Sequence, residues 1–190
     1  MKNKKKLVHL VLFALFSALI VAMTFTPYMG YITVGIIEIT TLHIVVILGA
    51  TILGAKYGAL LGGIWGLTCV IRAFQFGIIP FQNPMVSLVP RIIVGLVAGI
   101  VFYALSKTKC KKPISLAISA FAGTLTNTFL VLSFLKIFGG FEVLFGEGAK
   151  TLEVIIGTLI STNGLIELVA AVILVPSIYM ATHKIIKDKI

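Results

Sequence analysis

The chain of 190 residues is 59% hydrophobic and only 12% charged, with a formal net charge of +10. That composition excludes a water-soluble domain, because a single core of this size buries only part of its surface and cannot hide so much apolar side chain. Apolar runs recur about every 25–30 residues, close to the ~20 needed to cross a bilayer, and they are continuous rather than alternating, which indicates helices and not a barrel.

Lys2, Lys4, Lys5 and Lys6 lead into the run LVLFALFSALIVAM. Its apolar part is too long for a signal peptide and no small-x-small cleavage site follows, so a retained helix is predicted over about 7–26. Ala14, Ala18 and Ala22 recur every fourth residue of that helix, with Ser17 beside them. Such a stripe serves packing inside a bundle or docking of a helix from another protein equally well. Span two, about 38–54, carries Glu38 and His43, and span three covers about 57–73. Gly54, Gly58, Gly62 and Gly66 form one smooth face there, which reads as ordinary helix packing. Trp65, Cys69 and Arg72 belong to the same span. Before span four, about 87–106, the stretch QNPMVSLVPR places Asn83, Pro84, Pro90 and Arg91 at the mouth of an apolar helix. Each proline fixes its own φ and steers the preceding residue away from helix, which is expected to aim Asn83 and Arg91 inward. Gly95 and Gly99 repeat the glycine device. Span five, about 113–137, contains Asn127. Span six, about 154–182, contains Asn163 and Glu167 on one helix face.

Twelve of the 16 basic residues fall on one side of this six-span arrangement: the four N-terminal lysines, Lys56, Lys107, Lys109, Lys111, Lys112, Lys184, Lys187 and Lys189. Arg72, Arg91, Lys136 and Lys150 fall at the other ends. The positive-inside rule puts both termini in the cytoplasm. The positive charge is therefore a topology signal with some affinity for anionic lipid, and it is no argument for nucleic acid. The expected fold is an all-α integral membrane protein, one six-helix domain over residues 1–190. Cys69 in a span and Cys110 in an inner loop are expected to be free thiols.

Polar side chains in or beside spans are costly and usually face an interior or a cavity. Asn83, Arg91, Asn163 and Glu167 converge on one membrane side, which favours a site over isolated structural polars. Asn127 joins them, and Trp65 with Tyr31 would add aromatic walls. For His43, a buried histidine satisfied by its neighbours is favoured over a ligand contact. For Arg72, Lys136 and Lys150, anchoring at the headgroups is favoured. No cluster fits a metal, no nucleophile has a base beside it, and no phosphate-binding GxxxxGK[ST] motif is present. The reading is a ligand-binding protein of the membrane without cofactor, metal or catalytic residues.

These features carry a resemblance. The AxxxA strip at Ala14 and Ala18, TLHIVVILGATILGAKYGALLGGIWGL, NPMVSLVPRIIVGLVAG and STNGLIELVAAVILVP together resemble the substrate-binding S components of energy-coupling factor (ECF) vitamin transporters, across essentially the whole chain. The resemblance implies a vitamin bound from outside near the outer half of the bundle, with TPYMGYITVGIIE as a lid. It also implies docking through Ala14, Ala18 and Ala22 onto a transmembrane coupling protein that works with two ATPases, ATP hydrolysis toppling the S component inward. The pantothenate-type branch is the most similar, with Arg91 for a carboxylate and Asn or Glu groups for hydroxyls. Riboflavin, folate or pyridoxine-type ligands stay open, as does a self-sufficient secondary transporter.

Overall fold

The computed structural model describes residues 2–34, 37–138, 142–143 and 162–187, with side chains described for 6–32, 39–138, 142–143 and 164–182. The first helix, α1 (Lys2–Phe25), runs through Leu, Ala, Phe, Ile and Val without a glycine or proline, then ends just before Pro27. Tyr28 takes a positive φ of 61° in the turn, and the Gly30 N–H closes the helix end onto the Met23 carbonyl at 3.0 Å.

A short antiparallel hairpin follows, β1 (Tyr31–Val34) and β2 (Ile37–Thr40), pairing Tyr31 with Thr40 and Ile32 with Ile39. This changes one expectation. The second span does not begin near residue 38: Glu38 lies on β2, with its side chain outside the described set, and α2 occupies only Leu42–Leu53. Short apolar runs do not distinguish strand from helix, so the hairpin's outgoing strand looked continuous with the helix. At 12 residues, α2 spans roughly 18 Å, well short of the bilayer core.

Gly54, at φ 97°, turns the chain directly from α2 into α3 (Ala55–Gln75). Two single-turn helices, α4 (Ile79–Gln82) and α5 (Pro84–Ser87), step the chain into α6 (Val89–Ser106), and each of the three starts with a proline in its first turn. There the ring fixes a helical φ and the missing N–H had no helical partner to lose. Two long helices complete the described chain, α7 (Lys112–Ile137) and α8 (Thr162–Lys187). The part of span six expected from residue 154 to 161 lies outside the described residues. Five of these helices are long and apolar enough to cross a membrane, and Leu42–Leu53 is the shorter apolar one.

The pair α3–α6 is antiparallel and joined backbone to backbone. A Cβ on Gly58 would stand 2.5 Å from the Gly95 carbonyl oxygen, one on Gly66 2.6 Å from the Leu88 Cα, and one on Gly62 would collide with the Arg91 carbonyl. Gly123 of α7 lies against Ile47 of α2 and Ala98 of α6. The core beneath the site is apolar, with Ile44, Ile47, Val94, Leu116, Ala171 and Val175 in one cluster and Ile20, Leu42, Leu61 and Trp65 in another.

Candidate functional site

The polar residues gather where the hairpin meets the ends of the helices. Arg91 sits in the first turn of α6 and is 7% exposed. Its Nη1 donates to the Val86 carbonyl of α5 at 2.8 Å, so the proline-started turns bend the chain back over their own arginine. The guanidinium carbon lies 5.3 Å from the centre of the Trp65 ring and 5.7 Å from that of Phe81. Its Nε is buried without a hydrogen-bond partner among the described residues. A cation that keeps an unused donor in a buried place is equipped to take an anion, because leaving such a donor unpaired costs about 1–3 kcal/mol.

Three further groups are in the same condition. His43, in the first turn of α2, is fully buried; the backbone of Thr40 and Glu167 lies beside its ring, yet neither nitrogen makes an aligned hydrogen bond to a described residue. Thr124 Oγ1 and Asn127 Oδ1, one turn apart on α7, are likewise buried and unpartnered among the described residues. Their level in the bundle follows from packing. Ile47 meets Gly123, α2 and α7 run in opposite directions, and His43 and Asn127 are each one turn outward from that contact.

The hairpin covers this end and is tied at its base. The Tyr31 hydroxyl is 2.9 Å from the Cys69 thiol and accepts from Trp65 Nε1 at 3.4 Å, while the Arg72 guanidinium lies over the Tyr31 ring at 4.0 Å. On the paired strand, the Thr40 N–H donates to Glu167 Oε1 of α8 at 2.5 Å. One rung of the hairpin, Tyr31 opposite Thr40, thus bridges α3 and α8.

The structure brings Tyr31, Trp65, His43, Arg91, Asn127 and Glu167 to one end of the bundle. Asn83 is differently placed: its side-chain oxygen caps α5 by accepting from the Met85 N–H at 2.9 Å, and no hydrogen bond among the described residues joins it to Arg91. Asn163 lies on α8, but its side chain is outside the described residues. Ala14, Ala18 and Ala22 are exposed on α1, whose inward face is Phe13, Phe16, Ile20 and Thr24. Lys136, read as a headgroup anchor, forms an ion pair with Glu142 at 2.5 Å, which holds the Glu142 carboxyl below its ordinary range. Thr124 and Cys69 were missed as site neighbours. The polar run TLTNT within span five was a usable signal for the first; nothing local marks the second, which depends on a residue 38 positions away.

A groove of about 680 Å³ lies elsewhere, in an almost wholly apolar cleft between α3 and α6. Among the described residues no group of His, Cys, Asp or Glu is arranged to hold a metal ion.

Comparison with known proteins agrees with this architecture. The family model described as "ECF transporter, substrate-specific component" matches residues 8–179. A pantothenic acid transporter PanT of Lactococcus lactis subsp. cremoris (strain MG1363) is 32% identical over 201 aligned positions, covering 96% of this chain and 97% of the relative. A pantothenate transporter PanT of Leuconostoc mesenteroides subsp. mesenteroides is 31% identical over 191 positions, covering 93% and 91%. With the match spanning nearly every described helix, this chain belongs to the substrate-specific components of ECF transporters and is a multi-pass protein of the cell membrane.

Proposed function

We propose that this protein captures pantothenate from outside the cell as the binding subunit of an ECF-type importer. The observation that carries the reading is the convergence, under one hairpin, of a buried arginine with an unused donor and of the unpartnered His43, Thr124 and Asn127. Pantothenate has a carboxylate at one end and hydroxyls and an amide along its length. Arg91 matches the carboxylate, a charge-assisted pairing stronger than a neutral hydrogen bond. His43, Thr124, Asn127 and Asn163 match the hydroxyls and the amide, and Trp65 and Tyr31 supply the apolar wall. The two similar proteins named as pantothenate transporters support the same vitamin.

The hairpin serves as the lid, held by Tyr31 against α3 and by Glu167 against the Thr40 backbone. The chain works as one six-helix domain with both termini in the cytoplasm, where the basic loops face. It carries out no chemistry itself. A transmembrane coupling protein docks on Ala14, Ala18 and Ala22, and two ATPase subunits supply the energy that turns the loaded site inward. The exposed alanines support that surface, since small side chains let a second helix approach closely.

The deciding experiment is thermal stability of the detergent-purified protein against a panel of vitamins, because a ligand that binds the folded state preferentially raises its stability. A shift with pantothenate alone is the expected result. A shift with riboflavin, folate or pyridoxine instead would overturn the substrate, and no shift with any vitamin would overturn the binding role.

A further inference from the structure

The α3–α6 groove has a shape that the site does not use. Its walls are Leu60 and Leu67 on α3, Leu88 just before α6, and Ile92 and Leu96 on α6, and its floor includes Gly63. Gly63 differs from its neighbours in kind. Gly62 and Gly66 have no Cβ because the opposing backbone fills that space, whereas a Cβ on Gly63 would meet only Ile92 side-chain atoms, at 3.6 and 3.9 Å. The absent side chain therefore leaves room in the groove. One charged residue lines it, the exposed Lys56, at the end where α3 begins. Ala55 packs on Gly99 there, so Lys56 shares its end of the bundle with the basic loop Lys107–Lys112. The first turn of α3 carries no acidic side chain.

We propose that this groove binds an anionic phospholipid of the leaflet faced by the basic loops, with one acyl chain along the α3–α6 cleft and the phosphate at Lys56. Three features favour that occupant. From Lys56 to Leu67 the α3 side of the groove is roughly 17 Å long, close to half of a hydrocarbon core ~30 Å thick. The lining beyond Lys56 is apolar throughout. Among the described residues the only charge lining it is a cation at the headgroup end, which attracts a phosphate and disfavours a headgroup that brings its own ammonium beside it.

Native mass spectrometry of the full-length protein, with dioleoyl-phosphatidylglycerol and dioleoyl-phosphatidylcholine added at equal concentration, tests this. Wild type is expected to retain the phosphatidylglycerol about fivefold over the phosphatidylcholine, the preference of one lysine near an anionic surface. Lys56→Gln should bring the two lipids to parity without lowering total lipid retained. Gly63→Leu should lower retention of both. Leu96→Trp fills the same space from the exposed wall, away from the glycine contacts, should Gly63→Leu fail to fold. Parity in wild type overturns the proposal, as does a preference that survives Lys56→Gln, which would belong to the loop lysines. Unchanged retention in a folded groove-filling variant also overturns it; if such a variant instead altered uptake or oligomer mass, a protein helix would be the occupant.

Discussion

The two halves of the α3–α6 pair show opposite ways of treating polar groups. Toward the basic loops the helices touch through glycine and alanine, Gly58 on Gly95 and Ala55 on Gly99, and the buried hydroxyls nearby are all spoken for. Thr51 donates to Leu48 and Ser119 crosses to the Ala98 carbonyl at 2.6 Å. From the middle outward, the same bundle leaves His43, Thr124, Asn127 and the Arg91 Nε buried without partners among the described residues. Natural proteins satisfy most buried polar atoms, so a group of unsatisfied ones concentrated at one end is a statement about what is meant to arrive there. The inner half holds the helices in register; the outer half carries the buried polar atoms on which the proposed binding site rests.

The sharpest way to break this contrast is to attack the seam where the two halves meet. Gly62→Leu would drive a side chain into the Arg91 backbone and separate α3 from α6. It should cost about 3 kcal/mol or more, at or beyond the upper end of ordinary overpacking, and should appear as loss of monodisperse protein. Gly63→Ala, one residue on, should be neutral. Next in size, Ala14→Leu or Ala18→Leu should abolish uptake in cells while leaving the vitamin-induced thermal shift intact, because both residues are exposed and touch neither half of the contrast. Uptake that survived both changes would place docking elsewhere.

Within the outer half, Arg91→Ala should weaken pantothenate binding roughly tenfold or more with expression unchanged, the scale of one charge-assisted hydrogen bond. Unaltered affinity by titration calorimetry would make Arg91 a structural residue. Glu167→Ala should be milder, releasing the Thr40 end of the lid and raising both association and dissociation rates, about fivefold for a lost hydrogen bond of ~1 kcal/mol. Glu167→Gln should retain most of the effect of the lid, because its amide oxygen still accepts the Thr40 N–H. A faster dissociation with unchanged association would instead mark Glu167 as a ligand contact. At the bottom of the scale, Glu142→Gln should leave binding unchanged. Its carboxylate is lowered by Lys136, so the pair's contribution is present at neutral pH and lost as the pH falls through the carboxylate range.

Much of this molecule was legible in one dimension. Apolar run lengths identify a membrane protein and its long helices, since the cost of exposing a helix to lipid is a sum over its own residues. The combination of AxxxA, proline and glycine motifs points to the family. Tertiary structure decided everything that depends on helix register. It separated Gly62, filled by an opposing backbone, from Gly63, which leaves a groove. It turned the start of span two into a strand, made Asn83 a helix cap, and buried His43 beside the backbone of Thr40 and Glu167. It brought Thr40 to Glu167 across 127 residues of chain. Such contacts join residues far apart in sequence, and no local pattern encodes a distance that only the packing of several helices determines.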